Sequence, residues 1–376
     1  MNKKLTKTLL GDVCQLHRGY DLPNQNRIDG PYPVISSSGI SGMHHDYKCD
    51  GENVITGRYG TIGEVYYYNG KCWPLNTALF VSNFFDNYPK YIYYFLKCTL
   101  KVDGKDKSTV PGVDRNVLHA LKVSYFSDKD YQIEIASVLS CIDAKIDLNA
   151  QLCAELEAMA KTLYDYWFVQ FDFPDENGKP YRTSGGAMEW CQKLGREVPK
   201  GWKAKRVSEL TKVITGKEDA NFSTADGEYK FFTCGQETLC CDTPAFTGKA
   251  VLIAGNGDFN VKHYTGSFNA YQRTYVLIPN EDKYYAAMFI AAKDTIQSFR
   301  QGSNGSIVKF ITKGDVENIT LLSPTNDDLL QRLNGIIEQI ELFEKENDEL
   351  IKLRDWLLPM LMNGQAYVKV GGDESV

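Results

Sequence analysis

Apolar residues recur every seven positions along two long stretches of the chain. In the first, Ile135, Ile142, Asn149, Leu156 and Leu163 form one column, with Leu139, Ile146, Cys153, Ala160 and Trp167 four positions later. In the second, Leu333, Ile340, Asn347, Arg354 and Leu361 run beside Ile337, Glu344, Ile351 and Leu358. A heptad pattern sustained this long predicts two coiled-coil helices, over 127–170 and 325–362. Each has a matching start signal, Ser127-x-x-Asp130 and Thr325-x-x-Asp328, in which a hydroxyl would cap the helix and an acid would favour its first turn. Phe173-Pro174 lies beyond the first helix, and Leu358-Pro359 is expected to break or kink the second.

Asn149 and Asn347 each occupy a core column near mid-helix, where an apolar side chain would be more stabilising. A single buried Asn fixes register and partner at some cost in stability. Antiparallel packing would bring the two midpoints, and so the two amides, together. Parallel packing could also pair them but would crowd the flanking domains at one end, so the antiparallel arrangement is favoured. A third column (Val138, Leu152, Met159, Tyr166; Ile336, Phe343, Leu350, Leu357) widens the apolar stripe beyond what a two-helix seam needs. Either the globular domains cover it or other chains contribute helices.

The rest of the chain alternates short β-branched and aromatic runs with Gly, Asn and Asp turns. YPVISS, NVITG, EVYYYN and TALFVS read as strands in the first half, and YKFFTC, AVLIAG and TYVLIP in the second. Residues 88–98 and 284–299 read as short helices. The halves repeat one another. Sliding the chain by 197 positions puts Gly19 on Gly216, Asp29 on Asp226, Gly30 on Gly227, Tyr32 on Tyr229, Val54 on Val251 and Gly60 on Gly257. At an offset of 198, Ser108 meets Ser306, Val110 meets Val308, Ile142 meets Ile340 and Asn149 meets Asn347. A duplicated unit follows, a β-rich block and then a helix. The fold class is α+β: two similar β-rich domains, 1–126 and 201–324, separated by two long antiparallel helices with an internal pseudo-twofold relation. A linker covers 171–200 and a tail 363–376.

Composition changes the picture little. The chain has 376 residues, 43% of them hydrophobic and 24% charged, and contains no apolar run of membrane-spanning length. Its start, MNKKLTKTLLGDVCQL, lacks an apolar stretch of signal-peptide length, so a cytoplasmic location is the default expectation. The ten cysteines are irregularly spaced, which suits free thiols better than a disulfide framework. Cys234, Cys240, Cys241 and His263 match no common zinc spacing, so no metal site is expected. Net charge is −6, but the acidic excess sits in the two helical stretches, leaving the β-rich blocks slightly basic. Overall charge therefore does not exclude a polyanion partner.

Catalytic signatures are missing: there is no phosphate-binding GxxxxGK[ST], no GxSxG and no HExxH. The glycine-rich run Gly57-Arg58-Tyr59-Gly60-Thr61-Ile62-Gly63 lies between two predicted strands rather than opening a helix, so it is a poor dinucleotide cradle. Asn256-Gly257-Asp258 takes its place in the second half, which says turn. What remains is two related blocks with polar tips and a stiff spacer whose ~50 Å length matches roughly 15 base pairs. That fits a bipartite DNA target. Candidate contacts are Ser36, Ser37, Ser38, His44, Arg58, Tyr59, Thr61, Asn76, Lys105 and Lys107 in the first block. In the second they are Asn256, Asp258, Asn260, Lys262, His263, Arg273, Ser303, Asn304 and Lys309. Arg and Asn are the usual bidentate readers of guanine and adenine, and Lys and Ser commonly contact phosphate. A coiled-coil scaffold that never touches DNA is the competing reading, motivated by the negative net charge.

Particular stretches carry a family resemblance. Leu163-Tyr-Asp-Tyr-Trp-Phe168 running on through Phe171-Asp-Phe-Pro174, Val198-Pro-Lys-Gly-Trp202, and Leu353-Arg-Asp-Trp-Leu-Leu-Pro-Met-Leu-Met-Asn-Gly364 resemble segments of the specificity (S) subunits of type I restriction–modification systems, as does Gly57–Gly63. The second half departs from that last motif, with Ala254-Gly-Asn-Gly257 where the first has Gly57-Arg-Tyr-Gly60. The resemblance implies two target-recognition domains on spacer helices and a chain that is not itself catalytic. It implies double-stranded DNA as a partner, with two adenine-N6 methyltransferase subunits and ATP-dependent restriction subunits. On that basis this chain binds no cofactor; S-adenosylmethionine, ATP and magnesium would belong to the partners, and methyltransferase helices would pack on the spacer.

Overall fold

A computed structural model describes residues 4–59, 63–100, 114–301 and 310–368. Thr61, Lys105, Lys107, Ser303, Asn304 and Lys309 lie outside the described residues, as do the repeat pairs Ser108/Ser306 and Val110/Val308. Packing divides the chain into two units, one of Met1–Asp147 with Asp348–Val376 and one of Leu148–Asn347.

The first unit opens on strand Leu5–Leu9, antiparallel to Lys122–Phe126, followed by a single helical turn at Leu10–Val13. A four-stranded sheet runs Gln15–Arg18, Ala78–Asn83, Glu52–Gly57, Val65–Asn69. A second sheet of three strands runs Gly39–His44, Tyr32–Ser36, Trp73–Pro74. Helix Pro89–Thr99 buries Tyr91, Ile92, Tyr94, Phe95 and Leu96. These pack with Leu10, Val54 and Leu79, with Ile135 and Leu139 of one long helix, and with Leu358, Leu361 and Met362 of the other. Each such side chain contributes about 1.5–3 kcal/mol by leaving water.

The second unit repeats this order. Strand Lys203–Arg206 pairs with Thr320–Ser323, a helical turn follows at Val207–Leu210, and helix Tyr285–Gln301 lies against the sheet strands Phe246–Ala254 and Val261–Ala270. Here one six-stranded sheet runs Ile214–Thr215, Thr274–Leu277, Phe246–Ala254, Val261–Ala270, Tyr229–Phe232, Leu239–Cys241. The difference has a simple origin. Val261–Ala270 pairs antiparallel with Phe246–Ala254 and parallel with Tyr229–Phe232, whereas the first unit divides that role between Val65–Asn69 and Trp73–Pro74.

The repeated glycines are explained by close backbone approach. A Cβ at Gly19 would sit 2.1 Å from the Leu75 carbonyl oxygen, and one at Gly216 would sit 1.9 Å from that of Ala270. At Gly30 and Gly227 it would meet the backbones of His45 at 2.2 Å and Cys241 at 2.5 Å. The Asp-Gly repeat thus marks places where no side chain fits.

The long helices span Lys129–Tyr164, continued by a π-helical turn Asp165–Val169, and Asp328–Met362. Their caps differ from the expected hydroxyls. Asp128 Oδ1 accepts from the amides of Asp130 (3.0 Å) and Tyr131 (3.2 Å), and Asn326 Oδ1 from that of Asp328 (3.0 Å). Ser127 instead pairs its hydroxyl with Thr6 at 3.2 Å. A carboxylate or amide oxygen one residue on reaches the same free amides and outcompetes the hydroxyl. Nor does Pro359 break the second helix, which runs through it to Met362. Proline forfeits one hydrogen bond, but buried Leu358, Leu361 and Met362 hold the last turn. The helix then closes on Gly364 at φ +68°.

Within the second unit the helices are antiparallel. Asn149 Nδ2 donates to Asn347 Oδ1 at 3.0 Å and to Glu346 Oε2 at 2.7 Å, while the Cys153 thiol donates to the Ile340 carbonyl at 3.7 Å. Asn149 is fully buried and its Oδ1 has no partner. Of the third column, Val138, Leu152, Ile336, Phe343, Leu350 and Leu357 are half-buried, and Met159 and Tyr166 are exposed.

Gly19→Ala or Gly216→Ala is expected to cost about 1–3 kcal/mol through overpacking, seen in calorimetry as a midpoint several degrees lower. An unchanged midpoint would refute the close approach. Replacing both Asn149 and Asn347 with Leu is expected to raise stability by about 1 kcal/mol, because a half-satisfied buried amide is removed, while hydrogen exchange along the helices quickens as register loosens. A clear fall in stability would contradict this.

Candidate nucleic-acid interface

Four connections meet at one end of the β-structure in the first unit. After strand Glu52–Gly57 the Gly57 amide donates to the Glu64 carbonyl at 3.2 Å, closing a loop, and the Arg58 amide donates to the Thr77 carbonyl at 2.9 Å. Thr77 Oγ1 accepts from the Ser37 amide at 3.4 Å, drawing in the turn between Tyr32–Ser36 and Gly39–His44. The Asn76 amide donates to the Tyr20 carbonyl at 3.0 Å, which ties in the segment after strand Gln15–Arg18. The Asn76 side-chain amide binds Asp21, which also pairs with Arg18 at 3.2 Å. The Arg58 guanidinium lies 4.7 Å from the centre of the exposed Tyr59 ring. Arg18, Ser37, Arg58, Tyr59 and Asn76 are thus gathered on one tip.

The same four connections meet in the second unit through equivalent bonds. Ala254 N donates to Asn260 O at 2.9 Å, Gly255 N to Arg273 O at 2.9 Å, and Gln272 N to Glu218 O at 2.9 Å. Asn260 Nδ2 donates to the Cys234 carbonyl at 2.9 Å and Lys262 Nζ to that of Gly235 at 2.9 Å. Asp258 and Arg273 are exposed and Asn256 half-exposed.

Several candidates are spent inside the fold. Ser36 Oγ donates to Gly39 O at 3.0 Å and is buried. His44 is buried against Trp73, its Nδ1 lying 3.2 Å from both the amide nitrogen and the carbonyl oxygen of Ile28. Asn260 and Lys262 stitch turn 233–237 to the strand, and burial pulls the Lys262 ammonium below its usual pKa. His263 faces the long helix, with Nδ1 3.2 Å from Glu341 Oε1. Ser38, exposed on the first tip, shares a hydrogen bond with Ser36 at 3.1 Å. Arg18, Asp21 and Thr77 were missed from sequence, because only the fold brings residues 18–21 beside 76–77.

Burial raises the Glu341 carboxyl pKa, but hydrogen bonds from His263, Tyr285 (2.5 Å) and Thr265 outweigh it and leave the net value below the usual range. The equivalent acid of the first unit, Asp143, accepts from Tyr94 at 2.5 Å and from Arg354 at 3.0 Å. Each β-rich block is therefore tied to a long helix by a helix carboxylate that accepts from a tyrosine of the block. Arg354 of the other long helix adds a second bond in the first unit, and His263 of the sheet does so in the second. Among the described residues, no group of three His, Cys, Asp or Glu is placed to hold a metal, and no helix is long and apolar enough to cross a membrane.

The sequence profile of the type I restriction modification DNA specificity domain matches residues 2–158 and again 199–352, once per repeat. The chain belongs to this family. It is 37% identical over 176 residues to the EcoDI specificity subunit of Escherichia coli, covering 45% of this chain and 39% of that protein. It is 24% identical over 321 residues to the MjaIX specificity subunit of Methanocaldococcus jannaschii, covering 74% and 69%. The match to the E. coli protein thus spans well under half of that relative. The solved S subunit from M. genitalium superposes with a TM-score of 0.60 over 96% of both chains at 17% identity, and so shares the fold. Tyr164, Phe168, Phe171, Phe173 and Trp202, from the stretches that carry the resemblance, form one aromatic cluster, with Trp202 stacked on Phe173 at 4.9 Å.

Because the folded pKa of Glu341 is depressed, its contribution is present above the unfolded pKa near 4.3 and is lost as pH falls through the folded value. Denaturant midpoints measured from pH 7 to 3 should therefore decline steeply at the acid end. In Glu341→Gln the decline should be shallower, from a lower starting stability; an unaltered slope would show that Glu341 does not carry it.

Proposed function

We propose that this chain is a DNA-reading subunit that recognises a bipartite double-stranded target, one half-site for each repeat. The observation that carries this reading is the pair of equivalent tips, built from the same four connections but presenting different side chains: Arg58, Tyr59, Ser37 and Ser38 on one, Asn256, Asp258 and Arg273 on the other. A shared backbone with divergent chemistry is what two related readers of unlike half-sites require. Arg58 suits guanine, and Asn256 suits adenine. On this reading the chain has no catalytic role. It directs two adenine-N6 methyltransferase subunits and ATP-dependent restriction subunits, and these hold S-adenosylmethionine, ATP and magnesium. The exposed apolar residues of the long helices, among them Leu342, Leu353 and Trp356, offer those subunits a surface.

Footprinting of the assembled complex should show two protected elements flanking a stretch whose sequence is free; one continuous essential element would overturn the proposal. Arg58→Ala should weaken binding by about 1–3 kcal/mol and relax preference in one half-site only. Affinity should fall steeply with rising salt.

A further inference from the structure

Cys49 and Cys72 stand directly opposite each other on antiparallel segments of the first unit. Each amide donates to the other's carbonyl at 3.0 Å, so they form a closely hydrogen-bonded cross-strand pair. Opposed residues of this kind have Cα atoms about 5.5 Å apart and side chains on the same face, within the range a disulfide spans. Both belong to the small core of Ile35, Ile55, Ala78 and Phe80, with Cys72 buried and Cys49 half-buried at its edge. The repeat supplies an internal comparison. The equivalent positions of the second unit are Phe246 and Phe268, also cross-strand partners, whose rings stack at 5.4 Å. One unit fills this position with two aromatic rings and the other with two thiols.

We propose that Cys49 and Cys72 form a reversible redox-modification site, closing to a cross-strand disulfide with a small-molecule disulfide as oxidant. The more accessible Cys49, as thiolate, attacks a sulfur of oxidised glutathione, forming a mixed disulfide and expelling one glutathione thiolate. Cys72 thiolate then attacks Cys49 Sγ and expels the second. The two cysteine protons are released to solvent or to the departing thiolates, and the oxidant ends as two reduced molecules. Burial pushes Cys49 up to about 11 and Cys72 up to about 12, the latter helped by Cys49 and Asp50. Exchange is therefore slow, and the site responds to sustained oxidation rather than brief pulses. Closure fixes segment 48–49, whose two amides already bind the Cys72 carbonyl at 3.0 Å, next to Trp73, over which Lys48 Nζ lies at 4.6 Å.

The test is equilibration of the full-length chain with oxidised glutathione, trapping of the remaining thiols by alkylation, and peptide mass spectrometry. The expected product is a Cys49–Cys72 linked peptide short of two hydrogens, reversed by dithiothreitol and absent in Cys49→Ser. The oxidised chain should also melt several degrees higher, because the cross-link constrains the unfolded state. Two results would overturn the proposal: both thiols still alkylated at equilibrium, or Cys49 carrying glutathione without closure. Neither depends on DNA binding, so the proposed function stands or falls separately.

Discussion

Antiparallel packing of the two long helices is the constraint on which the rest of the structure depends, because neither repeat completes its own core. The first unit buries Leu358, Leu361 and Met362 from the far end of the chain beside its own Ile135 and Leu139. The second buries Ala160 and Tyr164, from the helix that began in the first repeat, with its own Leu330, Leu333, Ile337 and Ile340. Each unit therefore needs helical segments from both repeats. Helix packing here is a condition for folding of each β-rich block.

On that shared frame the duplicated positions have diverged in chemistry while keeping geometry. Asp143 and Glu341 occupy equivalent places, each hydrogen-bonded by a tyrosine, yet one takes Arg354 from the partner helix and the other His263 from the sheet. The amide after the loop-forming strand donates to the next turn in both units, but it belongs to Arg58 in one and Gly255 in the other. Backbone hydrogen bonds tolerate side-chain change, so exposed side chains can drift while the glycines at 19, 30, 216 and 227, pressed against neighbouring backbone, cannot. Duplication followed by this kind of drift yields two tips with one architecture and different exposed side chains.

The elements legible in the sequence were those with a strong local signal. Heptads located both long helices, and β-branched runs located Glu52–Gly57, Phe246–Ala254 and Thr274–Leu277. The pairing of Leu5–Leu9 with Lys122–Phe126 escaped notice because both strands are short and partly solvated, and their register arises only from tertiary closure. The caps were misassigned because Ser127 and Asp128 are adjacent and both can cap; only the fold decides which oxygen faces the free amides. At the candidate interface, spacing could pick out Arg58 and Asn256 as turn residues. It could not show that His44 and His263 point inward, since burial of a lone histidine depends on what packs above it. Nor could it bring Arg18 and Asp21 beside Asn76.

The buried Asn149–Asn347 contact gains meaning from this shared-core arrangement. Sliding one helix by a heptad moves it about 10 Å and would withdraw Leu358, Leu361 and Met362 from the first core and Ala160 and Tyr164 from the second. The hydrophobic cores already forbid so large a slip. What they discriminate less sharply are small rotations and shifts that keep apolar residues facing one another. An amide pair is directional, so it adds a penalty for exactly those small errors, at the cost of one Asn149 oxygen left without a partner. Cores and amides thus act on different scales, the first choosing the heptad and the second the angle. A helical seam that completes two separate cores draws on both.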